Sequence, residues 1–169
     1  MKRNLWIFLP VALAAAIGGF LASDRMASAP PSAILLFSQS LPDIKGQSQS
    51  LSQWKGKTLV VNFWATWCAP CVQEMPELSA LQNEISEKNI QIIGIGIDSS
   101  ANIAEFSEKY KISYPLYVAG MEGSQLLAQF GNQAGGLPFT IVFSKDGTVR
   151  KTYLGRLKMD ELRAALGSI

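Results

Sequence analysis

The sequence predicts an α/β fold built on a mixed sheet, and three observations carry that prediction. Two continuous apolar runs rich in β-branched residues, TLVVNFW (58–64) and IQIIGIGI (90–97), suit strands covered on both faces. Between them, Met75, Leu78, Leu81 and Ile85 recur at helical spacing, so strand, helix and strand follow in order. Further on, FTIVFS (139–144) and TVRKTYL (148–154) flank Lys145-Asp146-Gly147, a hairpin signal that adds antiparallel strands.

The elements follow in chain order. Lys2 and Arg3 precede an uncharged apolar run from Leu5 to Ala22. Its length exceeds the ~7–15-residue core of a cleaved signal and approaches the ~17–25 residues that span a bilayer. The two cations should stay in the cytoplasm, with the C-terminal bulk on the outer face. Ala27-Ser28-Ala29 keeps a cleaved signal open as the competing reading. Residues 1–22 are therefore expected to be a membrane anchor or signal, 23–37 a tether, and 38–169 the domain. Asp43 and Gly46 suggest a small hairpin within SLPDIKGQSQSLSQWKGK (40–57).

After the first long strand, Pro70 stands at a first-turn position and opens a helix expected to reach about Lys88. NIAEFSEKYK (102–111) reads as a helix with Ile103, Phe106 and Tyr110 on one face, and YPLYVA (114–119) as a short strand. EGSQLLAQF (122–130) is a further helix stopped by Gly131, and KMDELRAALG (158–167) closes the chain as an amphipathic helix.

Composition excludes several functions. Lys2 and Arg3 account for the whole net charge of +2, so the remainder is balanced and carries no basic stripe for nucleic acid. The chain has no histidine, which removes Ser-His and Cys-His catalysis and His-ligated zinc. Any general base must be a carboxylate, a lysine or water.

The only two cysteines stand two residues apart in TWCAPCVQE (66–74). The loop they close is too short to restrain the unfolded chain much, so the pair is there for its chemistry. Two thiolates without histidine fall short of the four ligands of a structural zinc. Cys68 falls between strand and helix, where unpaired N–H groups and a partial positive charge stabilise a thiolate. Cys71 follows one turn later, close enough to form a disulfide with it or to attack a mixed one. This is redox chemistry.

VVNFWATWCAPCVQEMPEL (60–78) resembles the active-site segment of the thioredoxin superfamily, in its exported, membrane-tethered TlpA/ResA/DsbE-like branch. The likeness covers roughly residues 38–167 and rests on W-C-x-x-C, on Pro76 five residues past the second cysteine, and on GGLPFTIVF (135–143). It implies a thioredoxin-like fold, a central sheet flanked by helices, with a helix-strand insert near 99–120. It also implies a cis peptide before Pro138, with Leu137 facing the cysteine pair. Thioredoxins proper carry a buried aspartate six residues before the first cysteine. Asn62 stands there instead, which removes the usual proton acceptor. The branch carries a glutamate three residues past the second cysteine, and Glu74 matches it.

Glu74 lies at i, i+3 from Cys71 and can take the proton of the resolving thiol. Read as a helix-surface residue, it should be replaceable at a cost within about 0.5 kcal/mol. The competing reading is a first-turn carboxylate that merely favours the helix dipole, the role expected of Glu77. Trp67 beside Cys68 is expected to form a flat apolar rim for partners, while Trp64 and Phe139 belong to the core.

The expectation is a membrane-tethered thiol–disulfide oxidoreductase. The resemblance implies that it would act on exported cysteine-containing proteins, for example reducing apocytochrome c before haem attachment. Its electrons would come from a membrane thiol carrier, and it would need no prosthetic group. A peroxiredoxin-like peroxidase and a copper chaperone binding through the two thiolates are the alternatives.

Overall fold

A computed structural model describes residues 33–167 of the chain. The apolar run 5–22 and the Ala-Ser-Ala motif lie outside the described residues, among which no helix is long and apolar enough to cross a membrane.

Ala33–Phe37 forms a short helix, α1. This corrects the expected tether boundary at residue 38, because Ala33 and Leu36 are buried and the Ala33 N–H donates to the Gly147 carbonyl. The apolar AILLF stretch enters the core instead of crossing solvent. The small hairpin follows, with β1 at Ser40–Pro42 antiparallel to β2 at Ser48–Ser50. Asp43 organises its turn by accepting from the Lys45 and Gln47 N–H groups, an Asx arrangement that turn sequences favour.

β3 (Thr58–Trp64) is buried at every residue. It lies at the centre of a five-stranded sheet ordered β5-β4-β3-β6-β7, where β4 is Ile90–Gly96, β5 Leu116–Val118, β6 Phe139–Phe143 and β7 Val149–Leu154. β3 runs parallel to β4 and β4 to β5, while β6 and β7 run antiparallel to their neighbours.

Helices cover both faces, which is why β3 can be buried throughout. On one face Val60 and Trp64 pack with α2 (Ala69–Glu84), α3 (Ser100–Tyr110) and α5 (Met159–Gly167), through Met75, Leu78, Ile103, Phe106 and Leu162. On the other, Leu59, Val61 and Phe63 pack with α1 and α4 (Gly123–Gln129), through Leu36, Leu127 and Phe130. The expected insert is α3 and β5, with β5 as the edge strand beyond β4.

Two glycines of β4 mark where the layers meet most closely. A Cβ on Gly94, which pairs with Asn62, would lie 3.2 Å from Trp64 Nε1 and against Leu116. A Cβ on Gly96 would collide with Ile103 of α3. The absence of side chains here leaves room for Ile103 of α3 at Gly96 and for the Leu116 and Trp64 side chains at Gly94. Alternation along β3 also puts Asn62 on the face beneath α2.

Candidate active site

The site begins at the end of β3, where the chain turns through Ala65, Thr66 and Trp67 into α2. Asp98, just past β4, holds this turn by accepting from both the Thr66 hydroxyl and the Thr66 N–H. The Ser99 N–H (2.7 Å) and the Asn102 amide (2.8 Å) also donate to Asp98. Burial works to raise its pKa, but the hydrogen bonds outweigh it and hold the carboxyl below its ordinary 3.8. Sequence reading missed Asp98. The only available signal was an aspartate at a strand's C-terminal end, followed by a Ser N-cap for α3.

Cys68 is the N-cap of α2, with Pro70 in the first turn. Its Sγ accepts from the Cys71 N–H at 3.3 Å, so the sulfur sits on an otherwise unpaired amide at the positive end of the helix. Cys68 and Cys71 are joined by a disulfide. They differ in access: Cys68 is 6% exposed and Cys71 0%. Trp67, 66% exposed, stands beside them as one of the few large apolar side chains in solvent among the described residues, while Trp64 and Phe139 are buried in the core.

The Leu137–Pro138 peptide is cis. Pro138 is buried and its carbonyl accepts from the Gly155 N–H at 2.8 Å. Leu137 is half-buried and packs against the cluster that contains both cysteines. Asn132 shapes the loop before it, donating to the Gly136 carbonyl at 2.7 Å.

Glu74 is where the structure departs most from sequence expectation. It is not on the helix surface but 0% exposed, on the inner face of α2 with Cys71. Its Oε1 accepts from Asn62 Nδ2 and its Oε2 from the Leu157 N–H, each at 2.8 Å. Asn62 Nδ2 also donates to Thr140 Oγ1 at 3.0 Å. Burial pushes the carboxyl from 4.5 to about 7, against the hydrogen bonds from Leu157 and Asn62 and the attraction of Arg156. Glu77, one turn on, raises it slightly and is itself paired with Arg156 at 2.8 Å on the surface.

A helical spacing alone cannot say that a carboxylate points inward, because that needs partners, and these arrive from β3 and from the loop after β7. Among the described residues no group of three or more Cys, Asp and Glu side chains could hold a metal ion.

What the arrangement can do chemically is exchange disulfides. One sulfur caps the helix and keeps a slight exposure, the other is fully buried behind it, and a carboxyl poised near neutrality shares the helix.

Residues 27–166 match the Redoxin family. The thiol-disulfide oxidoreductase ResA of Bacillus thuringiensis (strain Al Hakam) is 32% identical over 128 residues, covering 75% of this chain and 72% of that one. ResA of Geobacillus thermodenitrificans is 29% identical over 130 residues, 76% of this chain and 72% of the relative. Among solved structures, a DsbF homologue from Corynebacterium diphtheriae superposes with a TM-score of 0.69 at 28% identity, covering 86% of this chain and 89% of that one. With its cysteine pair at a strand–helix junction of a thioredoxin-like fold, the chain belongs to the Redoxin family, in the TlpA/ResA/DsbE branch of thiol–disulfide oxidoreductases.

Proposed function

We propose that the protein is a membrane-tethered reductant of disulfides in exported proteins, apocytochrome c before haem attachment among them, recharged by a membrane thiol carrier. The tether rests on the uncharged run Leu5–Ala22 behind Lys2 and Arg3. The division of labour rests on one observation: Cys68 caps α2 and keeps a slight exposure of 6%, while Cys71 is fully buried behind it.

In the reduced protein the Cys68 thiolate attacks a sulfur of the client disulfide. A mixed disulfide forms and one client thiolate leaves. The Cys71 thiol gives its proton to the Glu74 carboxylate, and the resulting thiolate attacks Cys68 Sγ, expelling the second client thiolate. Two electrons have passed to the client, and the Cys68–Cys71 disulfide remains. Trp67, Leu137 and Pro138 form the rim on which the client chain docks.

Trapping tests the assignment. Cys71→Ser should accumulate a mixed disulfide with a disulfide-bearing client on non-reducing gels, and Cys68→Ser should not. Trapping by Cys68→Ser alone would reverse the roles. The reduction potential tests direction: a value near −270 mV supports a reductant, and one near −120 mV an oxidant.

A further inference from the structure

We infer that Asn62 is a positioning residue for the proton transfer, an amide built to hold the Glu74 carboxyl in both its charged and its protonated form. The inference rests on the reading of Glu74 as the proton acceptor.

Three observations carry it. Asn62 is 0% exposed at the centre of β3, and its Nδ2 serves both Glu74 Oε1 and Thr140 Oγ1. Its Oδ1 is buried and, among the described residues, has no hydrogen-bond partner. Leaving a buried oxygen unpaired is destabilising. An amide is also a poor choice if its only task is to donate, since half of it goes unused.

The unused half has a task once Glu74 is protonated. When Cys71 passes its proton to Glu74 Oε1, the new O–H and Asn62 Nδ2–H become two donors facing each other. Turning the amide about its last, soft torsion exchanges nitrogen and oxygen. Oδ1 then accepts from the Glu74 O–H, and the Thr140 hydroxyl, able to donate or accept, turns to donate into the same oxygen. Leu157 N–H keeps Oε2 throughout. The carboxyl therefore stays in place while its charge changes, and the reverse turn restores the first arrangement once the proton has left.

An aspartate at 62 would oppose the charged form, and a leucine would hold neither. Besides the Cys68 and Cys71 thiols of the reduced protein, the ionisable groups facing Glu74 are Arg156 and Glu77, which flank it, and the buried Tyr114 phenol, held neutral by burial first and by Glu74 second. None of them can alternate between donor and acceptor at Oε1 as an amide can.

The test uses the full-length protein in detergent. Single-turnover reduction of a disulfide-bearing peptide, followed from pH 5 to 9, should show a step near pH 7 that Glu74→Gln abolishes. Asn62→Leu should move that step up by about one pH unit, a tenfold change in proton affinity, because the bond lost by the anion is charge-assisted and stronger than the one lost by the acid. Asn62→Asp should move it further and split it into two coupled steps. In the oxidised wild type, the side-chain amide NMR signals of Asn62 should titrate with the Glu74 carboxyl carbon.

A purely structural Asn62 would change stability or amplitude and leave the midpoint where it was. Amide signals that stay constant while Glu74 titrates would overturn the inference. So would an unmoved midpoint in Asn62→Leu. If that variant does not fold, the amide titration decides alone. If Glu74→Gln keeps the step, the acceptor reading fails, and the amide and carboxyl signals still show whether Asn62 follows the charge on Glu74.

Discussion

Replacing Glu74 by glutamine should stabilise the oxidised protein at alkaline pH and leave it nearly unchanged in acid. The carboxyl sits at about 7 in the folded state against an ordinary 4.5. Between those values the folded protein keeps a proton that the unfolded chain has released. Stability therefore falls as pH rises through this window and levels off above about 7. A difference of that size corresponds to about 3 kcal/mol, the cost of ionising a carboxylate in the core.

Glutamine carries no such charge. Its carbonyl can accept from the Leu157 N–H, and its amide can donate to Asn62 Oδ1 once the Asn62 amide turns to present that oxygen. Urea unfolding of the oxidised wild type and Glu74→Gln, followed by tryptophan fluorescence from pH 4.5 to 8.5, reads the difference. The curves should coincide near pH 4.5 and diverge by about 3 kcal/mol above pH 7.5, with an m value of about 1–3 kcal/mol/M setting the midpoint change. Parallel curves across the whole range would refute the reasoning. Exchange with client should meanwhile slow by roughly tenfold or more, at the low end of general-base effects. Gaining stability while losing rate is expected where a strained group serves function.

Trp67→Ala should raise the client KM by about tenfold with folding unchanged, since an exposed ring is lost from the rim and not from the core; an unaltered KM would remove Trp67 from the docking surface. Gly94→Ala should destabilise by about 1–3 kcal/mol in the same urea assay, because the new methyl meets Leu116 and the Trp64 indole; a wild-type midpoint would show that β5 yields easily. Fractionation with protease accessibility should find the protein in the membrane with its domain outside, and a soluble product beginning near Pro30 would identify the N-terminal run as a cleaved signal.

Order and type of the elements were legible in the sequence because their signals are local. Continuous apolar runs mark β3 and β4, helical spacing marks α2, Lys145-Asp146-Gly147 marks the β6–β7 turn, and W-C-x-x-C sits where strand gives way to helix. The redox chemistry was legible for the same reason, since an N-cap cysteine and its neighbour one turn later are a property of one segment. What needed the tertiary structure was every feature whose partners come from distant segments. The AILLF stretch looks like the end of a tether until it is seen under Gly147, and Asp98 looks like a loop residue until Thr66 donates to it. Glu74 reads as a surface charge from its own helix. Its burial, its proton affinity near neutrality and its hold by Asn62 depend on β3, Thr140 of β6 and the Leu157 backbone converging beneath α2. Periodicity shows which residues share a side of one helix. Which side faces a low-dielectric interior, and what hydrogen bonds wait there, is decided only when the other layers close over it.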